Sequence, residues 1–165
     1  MWSWFTFYLI VHILGVIIAF GPNFAFPFMG ALLEKHPEAA LYMAEVIEVV
    51  ERRMVLPLAV VVALAGTGLI FTAHVDLWHS EWLLISIVLY AAAFFFALFV
   101  QLRTGAQMVR LLQQMPAGPP PEGATGPPPE IAALAKRLQF GGMYLTASVV
   151  VIAILMIWRP GAAFS

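Results

Sequence analysis

His12 is the first residue whose type and place could do chemistry. It stands inside Met1–Leu33, a stretch with no charged side chain. Ionisable side chains at membrane depth are costly and turn toward the interior of a bundle. Neutral imidazole is the commonest side-chain metal ligand, and an axial His is the usual haem attachment in helical bundles. His12 is therefore a candidate ligand for haem b or another metal. The structural alternative is an interhelical hydrogen bond to Ser86, Thr146 or Ser148. No other His lies in an apolar stretch, so a haem here would be five-coordinate, or completed by Met143 or Met156 or by a second subunit.

A second group is His74, Asp76, His79 and Glu81. Two imidazoles and two carboxylates within eight residues suit Zn or Cu(II), or a pH-sensing loop. A short wet loop is polar in any case, and the spacing matches no strong metal motif. His36, beside Pro37, reads as a plain loop residue. A third feature is Phe20-Gly21-Pro22-Asn23-Phe24-Ala25-Phe26-Pro27. Gly21, Pro22 and Asn23 predict a kink or break that places an amide and freed backbone at membrane depth. Broken helices of that kind line transport sites; a kinked packing helix is the plainer reading. Gly66-Thr67-Gly68 and Gly141-Gly142 read as close-packing surfaces or a dimerisation face. No Gly-rich nucleotide loop, nucleophilic triad or intramembrane carboxylate pair occurs.

The elements that hold these residues follow from composition. Of 165 residues, 62% are hydrophobic and 10% charged, against about 45–50% and about 25% in a soluble domain. A chain of this kind cannot coat itself for water, which excludes a cytosolic enzyme, a nucleic-acid binder and a disordered segment. Net charge is −1 and Cys is absent, so thiolate metal sites, iron–sulfur clusters and Cys-attached haem are excluded. The uncharged start lacks the positive region of a secretory signal and is expected to be a retained span.

Four stretches reach the ~20 apolar residues a membrane helix needs: 4–33, 54–73, 82–102 and 138–158. They predict an all-α fold, a single four-helix transmembrane domain over 1–165. The loops after spans one and three carry seven of the eight Lys and Arg: Lys35, Arg52, Arg53, Arg103, Arg110, Lys136 and Arg137. That bias puts both loops in the cytoplasm and both termini outside, in a bacterial inner membrane. Trp2, Trp4, Trp78, Trp82 and Trp158 fall at the outer ends of the spans, as an aromatic belt would.

Glu38–Arg53 has helical polar spacing and predicts an amphipathic cytoplasmic helix that extends span two. Gln101, Arg103, Gln107, Arg110 and Gln114 mark the polar side of a continuation of span three. Residues 116–129 hold seven of the twelve prolines and predict a mobile linker. A short helix, Glu130–Arg137, would then lead into span four.

The chain resembles a family of uncharacterised bacterial predicted integral membrane proteins. The resemblance rests on Phe7-Tyr8-Leu9-Ile10-Val11-His12-Ile13-Leu14-Gly15, on Leu64-Ala65-Gly66-Thr67-Gly68-Leu69-Ile70, on Glu81-Trp82-Leu83-Leu84 with Leu89-Tyr90, and on Leu155-Met156-Ile157-Trp158-Arg159-Pro160-Gly161. Its first span, with Gly three residues after His, is distantly similar to HemJ-type protoporphyrinogen oxidases and CopD-type copper-resistance proteins. The first of these resemblances implies haem on His12. It would also ask for a Lys in span three, whose only ionisable side chain here is Tyr90. Three functions are then open: a haem-binding or redox-linked protein, a non-catalytic accessory subunit of a larger membrane complex, and a small transporter. The expected partners are the lipid bilayer and either a second copy or a larger complex.

Overall fold

The computed structural model describes residues 3–33, 35–115 and 126–160. Four long helices build it: α1 (Trp4–Leu33), α2 (Pro37–Thr72), α3 (Glu81–Gln114) and α4 (Pro129–Trp158). No strand occurs among the described residues. Each helix is long and apolar enough to cross a membrane. The chain is an all-α integral membrane protein whose helices contact lipid.

Composition explains the inside-out surface. Ile17, Leu64, Val88 and Ile157 are exposed, whereas Gly15, Ala19, Ala59, Val62 and Ala65 are buried. Hydrocarbon does not penalise the large apolar groups, so nothing drives them inward. Small residues are buried because they let helix backbones approach. Neighbours in sequence are neighbours in space. The α1–α2 pair is the most extensive, followed by α3 with α4, and α1 also touches α4. α2 and α3 meet chiefly beyond the bilayer-length part of the bundle.

One end of the bundle gathers the start of α1, the end of α2, the start of α3 and the end of α4. Trp4, Trp78 and Trp158 are exposed there. Trp82 lies under the Arg159 guanidinium, 5.4 Å from ring centroid to Cζ. The seven other Lys and Arg lie toward the opposite, basic end.

Hydropathy located the spans, but not how far the helices run. α2 has 36 residues and α3 has 34, so at ~1.5 Å per residue each exceeds a ~30 Å hydrocarbon layer. The amphipathic segment is therefore the first turns of α2, and it packs against the end of α3. Gln113 Nε2 donates to Glu45 Oε1 across that contact at 3.0 Å. The expected helix Glu130–Arg137 is the start of α4, not a separate element. Of the expected linker, 116–125 lie outside the described residues.

α1 and α3 each hold a feature that local sequence rules do not convey. Of the expected kink or break at Gly21, Pro22 and Asn23, the break does not form: α1 is helical through both Pro22 and Pro27. Each proline lacks an N–H, so Ile18 and Asn23 lose the usual donor to their carbonyls. Unwinding further would free more backbone groups in a medium that cannot satisfy them, so the helix continues. Gln101 does not share the polar side of α3 with Arg103, Gln107, Arg110 and Gln114 but is buried, since it stands about 160° around the helix from Arg103 and on the side away from the others. It ends a π-helical turn, Ala97–Gln101, closed by Leu102 N–H donating to the Ala97 carbonyl. The extra residue in a π turn rotates the later part of α3 about its axis relative to the earlier part. A matching π turn, Glu51–Val55, sits in α2. Both lie about one bilayer thickness from the tryptophan end.

Candidate functional site

The helices bring polar side chains of the spans into a recurring arrangement. One long polar group on one helix reaches a backbone carbonyl on the next. His12 Nδ1–H of α1 donates to the Val62 carbonyl of α2 at 2.9 Å. The Tyr90 hydroxyl of α3 donates to the Ala59 carbonyl of α2 at 2.6 Å. Gln101 Nε2 of α3 donates to the Leu138 carbonyl of α4 at 3.2 Å. Such bonds average about 0.6 kcal/mol in membranes, with a ceiling near 1.7.

Glycine makes room for two of these reaches. A Cβ on Gly66 would stand 3.1 Å from His12 Cε1, and one on Gly141 would collide with the Gln101 amide. Nearby, a Cβ on Gly68 would stand 2.6 Å from the Tyr8 ring, and one on Gly15 would stand 2.7 Å from Val62. Gly66, Gly68 and Gly141 are thus packing surfaces within one chain, as their spacing implied. Gly142 has nothing within 4 Å. Of the three hydroxyls expected to meet His12, none bonds to it, and Ser86 and Ser148 are used elsewhere. Ser86 donates to the Trp82 carbonyl and Ser148 to the Tyr144 carbonyl, each on its own helix. Thr67, Thr72 and Thr104 also bond back along their helices.

The His12 bond decides its tautomer. A carbonyl only accepts, so the neutral ring carries its proton on Nδ1 and its lone pair on Nε2. Nε2 makes no hydrogen bond to a described residue and is not sealed off. Met143, one expected second ligand, is exposed on α4. Phe20 of α1 packs edge-on against Tyr90 at 6.5 Å, next to the proline-rich part of α1.

The outer-loop group assembles only in part. His79 Nδ1 and Asp76 Oδ2 are 2.7 Å apart, and Trp78 N–H donates to Asp76 Oδ1 at 3.0 Å. The hydrogen bond from His79 holds the Asp76 carboxyl below its ordinary value of 3.8. His74 is exposed, in left-handed backbone at φ 52°, and Glu81 opens α3. Among the described residues no three His, Asp or Glu side chains converge on one point. The loop holds an Asp–His pair rather than a four-ligand set. His36, as a loop residue, pairs with Glu38 at 3.2 Å in the open.

Tyr90 and Gln101 are the site residues that the sequence did not single out as interhelical. The usable signal was a long polar residue in a span together with glycines elsewhere, as in Gln101 with Gly141.

Comparison with known proteins adds one relationship. The family model described as Predicted integral membrane protein (DUF2269) matches residues 6–160. The chain belongs to this family. No curated protein and no solved structure matches the chain. The likeness of the first span to the HemJ-type and CopD-type groups gains no support from these comparisons.

Proposed function

We propose that the chain is a non-catalytic subunit of a larger complex in a bacterial cytoplasmic membrane. One observation carries this reading. The long polar groups His12, Tyr90 and Gln101 each bond to a carbonyl of a neighbouring helix. The hydroxyls of Thr67, Thr72, Ser86, Thr104 and Ser148 bond to their own helices. Most of the polar side chains in the spans thereby serve the packing of the chain's own helices. The seven-to-one bias of Lys and Arg supports an orientation with the basic end in the cytoplasm and both termini outside.

A second reading is favoured by the Nδ1 bond of His12. Ligating histidines characteristically donate their other N–H to a carbonyl or carboxylate, which fixes the ring for the metal. His12 has that arrangement toward Val62, with Nε2 left open. Haem b would find one nitrogen here. Met143, a candidate second ligand, is exposed on α4. A haem at this place would need a partner subunit to cover it and supply any second ligand. The transport reading drew on a broken first helix, and the unbroken α1 gives it no support.

The two readings separate in one preparation from native membranes in mild detergent, followed by electrophoresis and by visible spectra before and after dithionite. The subunit reading expects a second polypeptide at fixed ratio and no Soret band. A Soret band that shifts on reduction and vanishes in His12→Ala replaces it with the haem reading.

A further inference from the structure

At the basic end, α2 and α3 enclose an open groove of about 420 Å³. Its lining is Arg52, Leu98, Arg103, Ala106, Gln107 and Arg110, with Leu102. Both π turns border it: Arg52 belongs to Glu51–Val55, and Leu98 to Ala97–Gln101. π turns are rare and concentrate at functional sites. Here they fall where helices about one bilayer thickness long leave the hydrocarbon.

We propose that this groove binds the headgroup of an acidic phospholipid. Arg103, Gln107 and Arg110 follow the i, i+4, i+7 spacing of one helix face, and all three line the groove. Arg52 faces them from α2. Arg52 also pairs with Glu48 at 3.1 Å, so its charge is partly spent. Among the described residues no carboxylate pairs with Arg103 or Arg110. The Arg103 guanidinium lies 5.7 Å from the Phe99 ring centroid, which holds it near the apolar boundary. Guanidinium groups meet phosphate oxygens in a planar two-point fork. Leu98 and the exposed Phe99 continue from the groove along the apolar side of α3, where the acyl chains of a bound lipid would lie. Basic pockets between helices at a membrane surface recognise anionic headgroups in this way. A free phosphate would satisfy the guanidiniums but would have no use for the apolar continuation. That asymmetry favours lipid.

The test measures lipid retention on the full chain in mild detergent by native mass spectrometry, with phosphatidylglycerol and phosphatidylcholine offered together. Wild type is expected to prefer the acidic lipid by about tenfold or more, as two basic groups near a surface would give. Arg103→Gln with Arg110→Gln should lose that preference. Arg53→Gln with Lys136→Gln removes the same charge at the same end but outside the groove, and should retain it. Arg103 and Arg110 are exposed, and circular dichroism of both double variants checks that the helices persist. Equal loss in the two double variants would reduce the effect to diffuse charge and overturn the site. Stabilisation by inorganic phosphate alone, equal to that by the lipid, would overturn the lipid as its occupant.

Discussion

The imidazole of His12 occupies the gap that Gly66 leaves on α2. A Cβ on residue 66 would stand 3.1 Å from His12 Cε1 and 3.3 Å from Nδ1, tighter than ordinary contact. The ring must therefore give way to any side chain at 66, and it is held there by the Val62 carbonyl. Gly66→Ala should lower the thermal midpoint in detergent, by a cost on the order of 1–3 kcal/mol for overpacking. Gly142→Ala meets nothing within 4 Å and should leave it unchanged. Equal effects would mean that α1 and α2 are not packed as described.

Tyr90→Phe removes only the hydroxyl that reaches the Ala59 carbonyl at 2.6 Å. The expected loss is about 0.6 kcal/mol and at most about 1.7. It would be read from unfolding in mixed micelles. A neutral result would mean that this bond does not join α2 to α3.

Gly141→Ala should be worse than Gly66→Ala. The new methyl meets the buried Gln101 amide, which is itself needed at the Leu138 carbonyl. Displacing it would leave a polar group in an apolar layer without a partner, a cost of about 1–3 kcal/mol. Gln101→Leu combined with Gly141→Ala should recover part of the thermal midpoint, because no amide then remains to be stranded.

The outer loop carries a pH dependence of known sign. Asp76 is held below its ordinary value of 3.8 chiefly by the hydrogen bond from His79. A carboxyl with a lowered folded value stabilises its loop above the ordinary value. That contribution fades as pH falls through the lowered one. Carbon-detected NMR should show Asp76 titrating below 3.8 in wild type and closer to it in His79→Ala. Identical titrations in the two proteins would remove the pair from the loop's structure.

Much of the fold was legible because hydrocarbon enforces it. Runs of uncharged residues marked the four spans, and the start and end of α1 match the apolar stretch 4–33. Trp4, Trp78, Trp82 and Trp158 share one end, as their positions relative to the spans implied. Gly66 and Gly141 were legible as packing surfaces because close helix approach needs small residues. The continuity of α1 through Pro22 and Pro27 was not. Proline reads as a breaker by local rules, and only the lack of water makes continuation cheaper. The partner of His12 was hidden for another reason. A backbone carbonyl exists at every residue, so Val62 has no sequence signature as an acceptor. The π turns at Glu51–Val55 and Ala97–Gln101 likewise have no compositional mark. Gln101 is different: at ~3.6 residues per turn it stands about 160° around the helix from Arg103 and on the side away from Gln107, Arg110 and Gln114, so helix geometry alone sets it apart from that polar side.

This bundle is proposed as a subunit whose long polar groups, His12, Tyr90 and Gln101, serve its own packing. Native mass spectrometry of the complex released from membranes in mild detergent tests it most directly. The expected result is this chain at its bare mass, joined at a fixed ratio to at least one different polypeptide. The chain alone, or joined only to copies of itself, with an added mass equal to haem that is lost in His12→Ala, would contradict it.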